Sequence, residues 1–202
     1  SRRRLRAVPF DLPQELREKA GWLNMLVVPG DQERLIVAKG ASTHVLDRSM
    51  RDSGAVEVTE RRDLQPAAAV ADEQSVFHTA GGTLSRFSLD GVELASFDTS
   101  DHDIFVEDAD DDRVPKRLAY PVLAPGGLLF VNAFVEGSAE GAEQDEILAL
   151  DAESLQLRFR FGLGLLNNSQ AMVVVGDELF VCDQNSDRLQ VFSLAGEHRR
   201  SL

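Results

Sequence analysis

Cysteine is almost absent from this sequence. Cys182 is the only one in 202 residues, so no disulfide can form within the chain. That suits a reducing compartment. Long apolar runs are missing too: none approaches the roughly 20 residues of a membrane-spanning helix. The opening Ser1-Arg2-Arg3-Arg4-Leu5-Arg6 has no apolar stretch of the kind a secretory leader needs. Together these absences favour the cytoplasm. There is no initiator methionine, so the chain is expected to be a processed product or a piece of a longer protein. Positive charge is scarce: 21 Lys and Arg stand against 34 Asp and Glu, for a formal net charge of -13. Such a surface repels phosphate backbones and argues against nucleic acid as a partner, while it tolerates a protein with a basic surface.

The motifs of the common catalytic folds are missing as well. The sequence contains no G-x-S-x-G elbow, no P-loop and no dinucleotide fingerprint. None of His44, His78, His102 and His198 stands at metal-ligand spacing from another His or from Cys182. The acidic run Asp108-Ala109-Asp110-Asp111-Asp112 fails as an EF-hand loop, because its sixth and twelfth positions hold Arg113 and Ala119. It reads as a solvated loop. Cys182 lies in an apolar run and reads as a small core residue. No cofactor and no metal are expected.

What is present is core-forming residue: 43% of the chain is hydrophobic, enough for a sizeable interior. One helix is expected, Asp11 to Gly21, with Asp11 as its cap, Gln14 at the capping-box position and Leu12 and Leu16 on one face. Residues 1–21 form an arm and this short helix. From Trp22 onward short aliphatic runs alternate with Gly, Asp, Asn and Pro turns, the pattern of many short strands. A repeat is visible. Asn24 to Val28, Pro29-Gly30-Asp31, then Arg34 to Ala38 reads as strand, turn, strand. Ala171 to Val175, Gly176-Asp177, then Glu178 to Cys182 reads the same way. Looser copies are Ala67 to Ala71 with Gln74 to Thr79, and Tyr120 to Ala124 with Leu128 to Ala133.

Each pair is followed by a third strand: Thr43 to Asp47, Thr83 to Ser88, Glu146 to Leu150, and Arg188 to Ser193. Outer fourth strands follow at Val56 to Thr59, Val92 to Phe97, Leu155 to Phe161, and His198 to Leu202. Four strands per unit, at roughly 40–50 residues per unit, describe the blades of a β-propeller. The expected fold is therefore all-β, with about four blades near 22–60, 61–97, 98–161 and 162–202. The first two strands of a unit are apolar at consecutive positions, which requires cover on both faces, as inner blade strands have. A two-sheet sandwich is the competing architecture. On the propeller reading, Gly162-Leu163-Gly164 is a turn between blades, and His44 and His78 are the histidines nearest a central channel.

The last unit carries a family resemblance. Phe161-Gly162-Leu163-Gly164 leads into Met172 to Val175. Then follows Leu179-Phe180-Val181-Cys182-Asp183-Gln184-Asn185-Ser186-Asp187-Arg188-Leu189-Gln190-Val191-Phe192 and a Gly196 turn. This resembles the NHL repeat, with its strand ending in Asp, an Asn-containing turn, then Arg, Gln-Val-Phe and a Gly turn. In the other units Lys39, Ala80 and Phe134 stand where Asp183 does. The resemblance implies a propeller that displays loops to partners. Propellers of this kind commonly have about six blades, so four blades form either a small closed ring or part of a larger assembly or longer chain.

The leading functional expectation is a non-catalytic protein-interaction scaffold. The alternatives are a propeller enzyme, such as a metal-dependent lyase or lactonase, or an RNA-binding NHL propeller. Turns between second and third strands share one end of a propeller with the connectors between blades. The two longest insertions, Val135 to Asp145 and Asp98 to Lys116, land there. Within the second, Ile104, Phe105 and Val106 form an apolar anchor amid carboxylates, suited to a partner with a basic rim. Asp183, Gln184 and Asn185 are candidates on the same face, although Asp183 and Arg188 also suit an ion pair that closes their hairpin.

Overall fold

In the computed structural model the described residues are 23–27, 35–39, 42–46, 52–57, 69–72, 74–88, 92–107, 113–135 and 145–202. The helix expected at 11–21, the acidic run 108–112 and positions 136–144 of the long loop lie outside them.

The strands form four four-stranded antiparallel sheets, each a meander in which every strand pairs with the next in sequence. The first sheet holds β1 (Leu23–Val27), β2 (Leu35–Lys39), β3 (Ser42–Leu46) and β4 (Asp52–Glu57). The second holds β5 (Ala69–Ala71), β6 (Ser75–Ala80), β7 (Thr83–Ser88) and β8 (Glu93–Asp98). A small hairpin, β9 (Phe105–Glu107) and β10 (Arg113–Pro115), interrupts the path to the third sheet. That sheet holds β11 (Arg117–Ala124), β12 (Leu128–Phe134), β13 (Asp145–Asp151) and β14 (Leu157–Leu166). The fourth holds β15 (Ser169–Val175), β16 (Glu178–Asp183), β17 (Arg188–Ser193) and β18 (His198–Ser201). The first strands lie side by side: β1 against β5, β5 against β11, β11 against β15.

Among the described side chains, sheets stack face to face through two apolar layers. Phe77, Leu84 and Phe97 of the second sheet pack on Leu118, Leu129, Val131, Leu148 and Leu150 of the third, with Ile104 from the connector among them. The other face of the third sheet supplies Phe130, Ile147 and Ala149, which meet Leu179, Val181 and Phe192 of the fourth. Phe161 joins this layer edge-on, its ring centroid 5.9 Å from Phe130 and 5.1 Å from Phe192. Because the third sheet is covered on both sides, Leu129 to Ala133 and Ile147 to Leu150 are all buried. Their consecutive apolar positions follow from that double cover.

Three local expectations need correction. Gly162-Leu163-Gly164 is not a turn between blades: it lies inside β14, with Gly162 at φ +87° and Gly164 at φ +77°. The pairing of β13 with β14 shifts register there, so these glycines form a bulge that carries the strand onward toward the next sheet. A Cβ on Gly162 would also stand 2.8 Å from Leu166 Cδ1. The outer strand of the first sheet begins at Asp52, four residues before Val56. It pairs Asp52 with Leu46 directly across a short connection, despite the glycine at position 54. Cys182 is only half-buried, because it shares the side of the fourth sheet that faces away from the third with Val173 and Phe180, rather than the core side with Leu179 and Val181.

Candidate interaction face

Turns between second and third strands and connectors between sheets emerge together, held by hydrogen bonds between them. In the second sheet the turn Gly81-Gly82 receives the following connector. Thr99 N–H donates to the Gly82 carbonyl at 3.0 Å and Leu118 N–H to the Gly81 carbonyl at 2.7 Å. Thr99 Oγ1 donates to the Lys116 carbonyl at 2.8 Å, and Lys116 N–H to the Ile104 carbonyl at 3.0 Å. Gly82 is required by this close approach, since a Cβ there would stand 2.4 Å from Thr99 Oγ1.

The third and fourth sheets use carboxylates for the same task. Asp145 Oδ2, at the start of β13, accepts from Ser169 N–H at 2.8 Å. Ser169 Oγ donates to Asn132 Oδ1 at 2.8 Å, and Asn132 Nδ2 donates to the Ser169 carbonyl at 2.6 Å. All three residues are buried. Desolvation raises the Asp145 carboxyl above the usual range; the Ser169 bonds and the Lys116 charge oppose that shift, and the charge of Asp183 adds to it. Beside it, Lys116 Nζ meets Glu146 Oε1 at 2.6 Å, and both side chains are buried. Arg160 adds a second, looser cation 3.7 Å from Glu146 Oε2.

Asp183 ends β16 fully buried and accepts three hydrogen bonds. They come from Asn167 N–H at 2.7 Å, Arg188 Nε at 2.8 Å and Gln190 Nε2 at 3.2 Å. The hairpin-closing pair with Arg188 is therefore formed, and Asp183 is turned inward. Gln184 and Asn185 are exposed beside it. Asn185 Nδ2 donates to Asn167 Oδ1 at 3.1 Å, and Asn168 Nδ2 to Gln184 Oε1 at 3.2 Å. With Gln170, whose Nε2 donates to Asn168 Oδ1 at 3.3 Å, these side chains form a strip of five carboxamides. Sequence reasoning found two of the five, from the turn motif. Asn167, Asn168 and Gln170 lie in a connector whose only signal is amide-rich composition.

The apolar triad of the connector is split by strand alternation. Ile104 is fully buried in the layer between the second and third sheets, and Val106 is buried as well. Phe105 points the other way, half-buried, with the Arg113 guanidinium 4.5 Å above its ring. Arg113 also pairs with Asp103. Of the three residues expected as an anchor, only Phe105 is turned away from the buried layer, paired across the hairpin with exposed Pro115.

His78 is buried on β6, and neither of its ring nitrogens has a hydrogen-bond partner. Burial lowers its pKa from 6.5 to about 4. Among the described residues no group of three or more His, Cys, Asp or Glu side chains is placed to hold a metal ion. No helix among them is long and apolar enough to cross a membrane.

No known family and no curated protein matches this sequence. Solved structures do. Hsv2 of Kluyvelomyces marxianus is 12% identical over 89% of this chain and 51% of its own, with a TM-score of 0.52. BamB of Moraxella catarrhalis is 11% identical over 88% of this chain and 50% of its own, with a TM-score of 0.53. The WD40 β-propeller domain of Doa1 is 11% identical over 85% of this chain and 50% of its own, with a TM-score of 0.59. The fold is a β-propeller. At these identities the likeness concerns the fold alone, and the chain spans about half the length of the propeller structures it matches.

Proposed function

We propose that this propeller is a non-catalytic protein-interaction scaffold of NHL-like type. It presents Phe105 and the exposed amides Gln184 and Asn185 to a protein partner with a basic surface. The observation that supports it is the gathering of the connector hairpin and the amide turn at one end of the stacked sheets. Phe105 offers a half-buried aromatic ring capped by Arg113, in a connector that also exposes Asp101 and Asp103. An aromatic anchor with a charged rim is the usual composition of an energetic centre in an interface. The NHL-like character rests on the last blade, where Asp183, Arg188 and Gln190 act together as one hydrogen-bonded unit.

The test uses a panel of arginine- and lysine-rich peptides, with binding read by chemical-shift mapping. The expected footprint covers Phe105, Gln184 and Asn185, and affinity falls as salt rises through a Debye-length change from about 10 Å toward 3 Å. Phe105→Ala is expected to weaken binding about tenfold or more while costing less than about 2 kcal/mol of folding stability. Binding that ignores salt, or a footprint elsewhere, removes this assignment.

A further inference from the structure

Among the described residues three guanidinium groups lie over aromatic rings, and they differ in how firmly they are held. Arg86, 5.9 Å from the Phe77 centroid, donates from Nε to Ser75 Oγ at 3.0 Å and from Nη1 to the Glu153 carbonyl at 2.9 Å. Arg200, 5.9 Å from the Phe180 centroid, donates to both oxygens of Glu178 at 2.6 and 2.9 Å. Arg113 lies closest to its ring, 4.5 Å from the Phe105 centroid, yet its one described polar partner is the Asp103 carboxylate. These two side chains are 58% and 79% exposed. Water screens such a pair, so it does little to hold the guanidinium in place.

The groups that receive this cation are better fixed than the cation itself. Asp103 ends the short 3-10 turn Thr99–His102, with its backbone N–H donating to the Thr99 carbonyl. The turn is anchored where the His102 ring stacks on buried Phe97, centroids 4.4 Å apart. Phe105 is flanked by buried Ile104 and Val106, which hold its strand against the layer beneath. A ring face and a carboxylate that converge on one guanidinium make an arginine site. Arg113 demonstrates the geometry by occupying it.

We propose that the Phe105–Asp103 site takes an arginine side chain of the protein partner, and that Arg113 is an internal stand-in which the incoming arginine displaces. This rests on the interaction face proposed above and names the side chain that face reads. The exchange is guanidinium for guanidinium, so net affinity comes from contacts around the site, and the internal competitor lowers it. A site left open about one part in ten of the time binds about tenfold more weakly than one always open. Lysine fits less well, because its ammonium is a strongly hydrated point charge that cannot lie flat on the ring.

The experiment titrates the 202-residue chain with a short peptide of alternating glycine and arginine, and with its lysine counterpart, at one fixed salt concentration, read by chemical shifts. Arg113→Gln is expected to bind the arginine peptide about three- to tenfold more tightly than wild type. The lysine peptide is expected to bind that variant about threefold more weakly, or worse, than the arginine peptide. In Phe105→Leu/Arg113→Gln the gain over Phe105→Leu alone should vanish, because ring and competitor act on one site. A gain that survives loss of the ring is a general charge effect and overturns the proposal, as does equal affinity for the two peptides. Arg113→Gln that binds no more tightly than wild type also overturns it; if wild-type shifts still map to Phe105, the interaction face stands and only the arginine site falls. Absence of shifts at Phe105 in wild type and variant, with either peptide, removes both.

Discussion

His78 makes stability depend on pH in a way that one substitution isolates. The side chain is 1% exposed and neither ring nitrogen is hydrogen-bonded. On β6 it alternates with Phe77, which faces the third sheet, so His78 faces the side where the first sheet lies. Its pKa falls from 6.5 to about 4 on folding because burial disfavours the charged ring. Below pH 6.5 the unfolded chain binds a proton that the folded chain refuses, so stability declines as pH falls from 6.5 toward 4 and then levels off. With these two values the loss is about 2 kcal/mol at pH 5 relative to pH 8, and about 3 kcal/mol in full. Asp145 acts with the opposite sign, since its raised pKa favours the folded state as pH falls. It is common to wild type and variant and cancels in the comparison. His78→Leu keeps the volume and removes two unmatched polar atoms, so at pH 8 it is expected to be neutral or stabilising by about 1 kcal/mol. Urea unfolding followed by circular dichroism at pH 8 and pH 5 gives the gradient for each protein. The variant's loss on acidification should be smaller than that of wild type by about 2 kcal/mol. Gradients that agree within about 0.5 kcal/mol would refute the reasoning, since the linear extrapolation resolves larger differences.

Other predictions concern the layers and the clamps. Phe192, fully buried against Phe161, is expected to cost about 3–5 kcal/mol as Phe192→Ala, while Phe180→Ala, half-buried under Arg200, costs less than about 2 kcal/mol. Denaturant melts that rank the two the other way would mean the sheet is turned over. Lys116→Met leaves buried Glu146 with only Arg160 at 3.7 Å, and is expected to cost about 3 kcal/mol. Lys116→Met/Glu146→Leu should recover most of that loss in the same melts. Asp183→Ala strips an acceptor from three donors and is expected to cost about 2–3 kcal/mol. Arg188→Ala should cost less than about 1 kcal/mol, because its side chain is 41% exposed and water screens the pair.

The sheets were legible because their inner strands announce themselves. Met172 to Val175 and Leu179 to Cys182 are apolar at every position, and a Gly-Asp turn separates them. The turn pair Asp183–Arg188 was legible for the same local reason, since both partners lie within one hairpin. What reads poorly is anything that depends on a neighbouring sheet. Ile104-Phe105-Val106 looks like one apolar anchor in a row of acids, but strand alternation and the second sheet take Ile104 and Val106 inward and leave Phe105. Phe180 and Cys182 sit in an apolar strand, yet they face away from the third sheet, where Arg200 stands over the Phe180 ring, and both are only half-buried. The Asn132–Asp145–Ser169 network joins positions from three strands, and no spacing in the sequence brings them together. The glycines of β14 were read as a turn because a bulge and a turn make the same demand for positive φ.

The hydrogen bonds that tie Gly81-Gly82 to Thr99 and Leu118 make the connector a cassette with stapled ends. Length changes between Glu107 and Arg113 fall inside that staple and beyond the buried Ile104 and Val106. Loop closure adds only about 0.6 kcal/mol per doubling of length. The hairpin's exposed side chains can therefore be exchanged, by evolution or by grafting, on a frame whose layers stay in place.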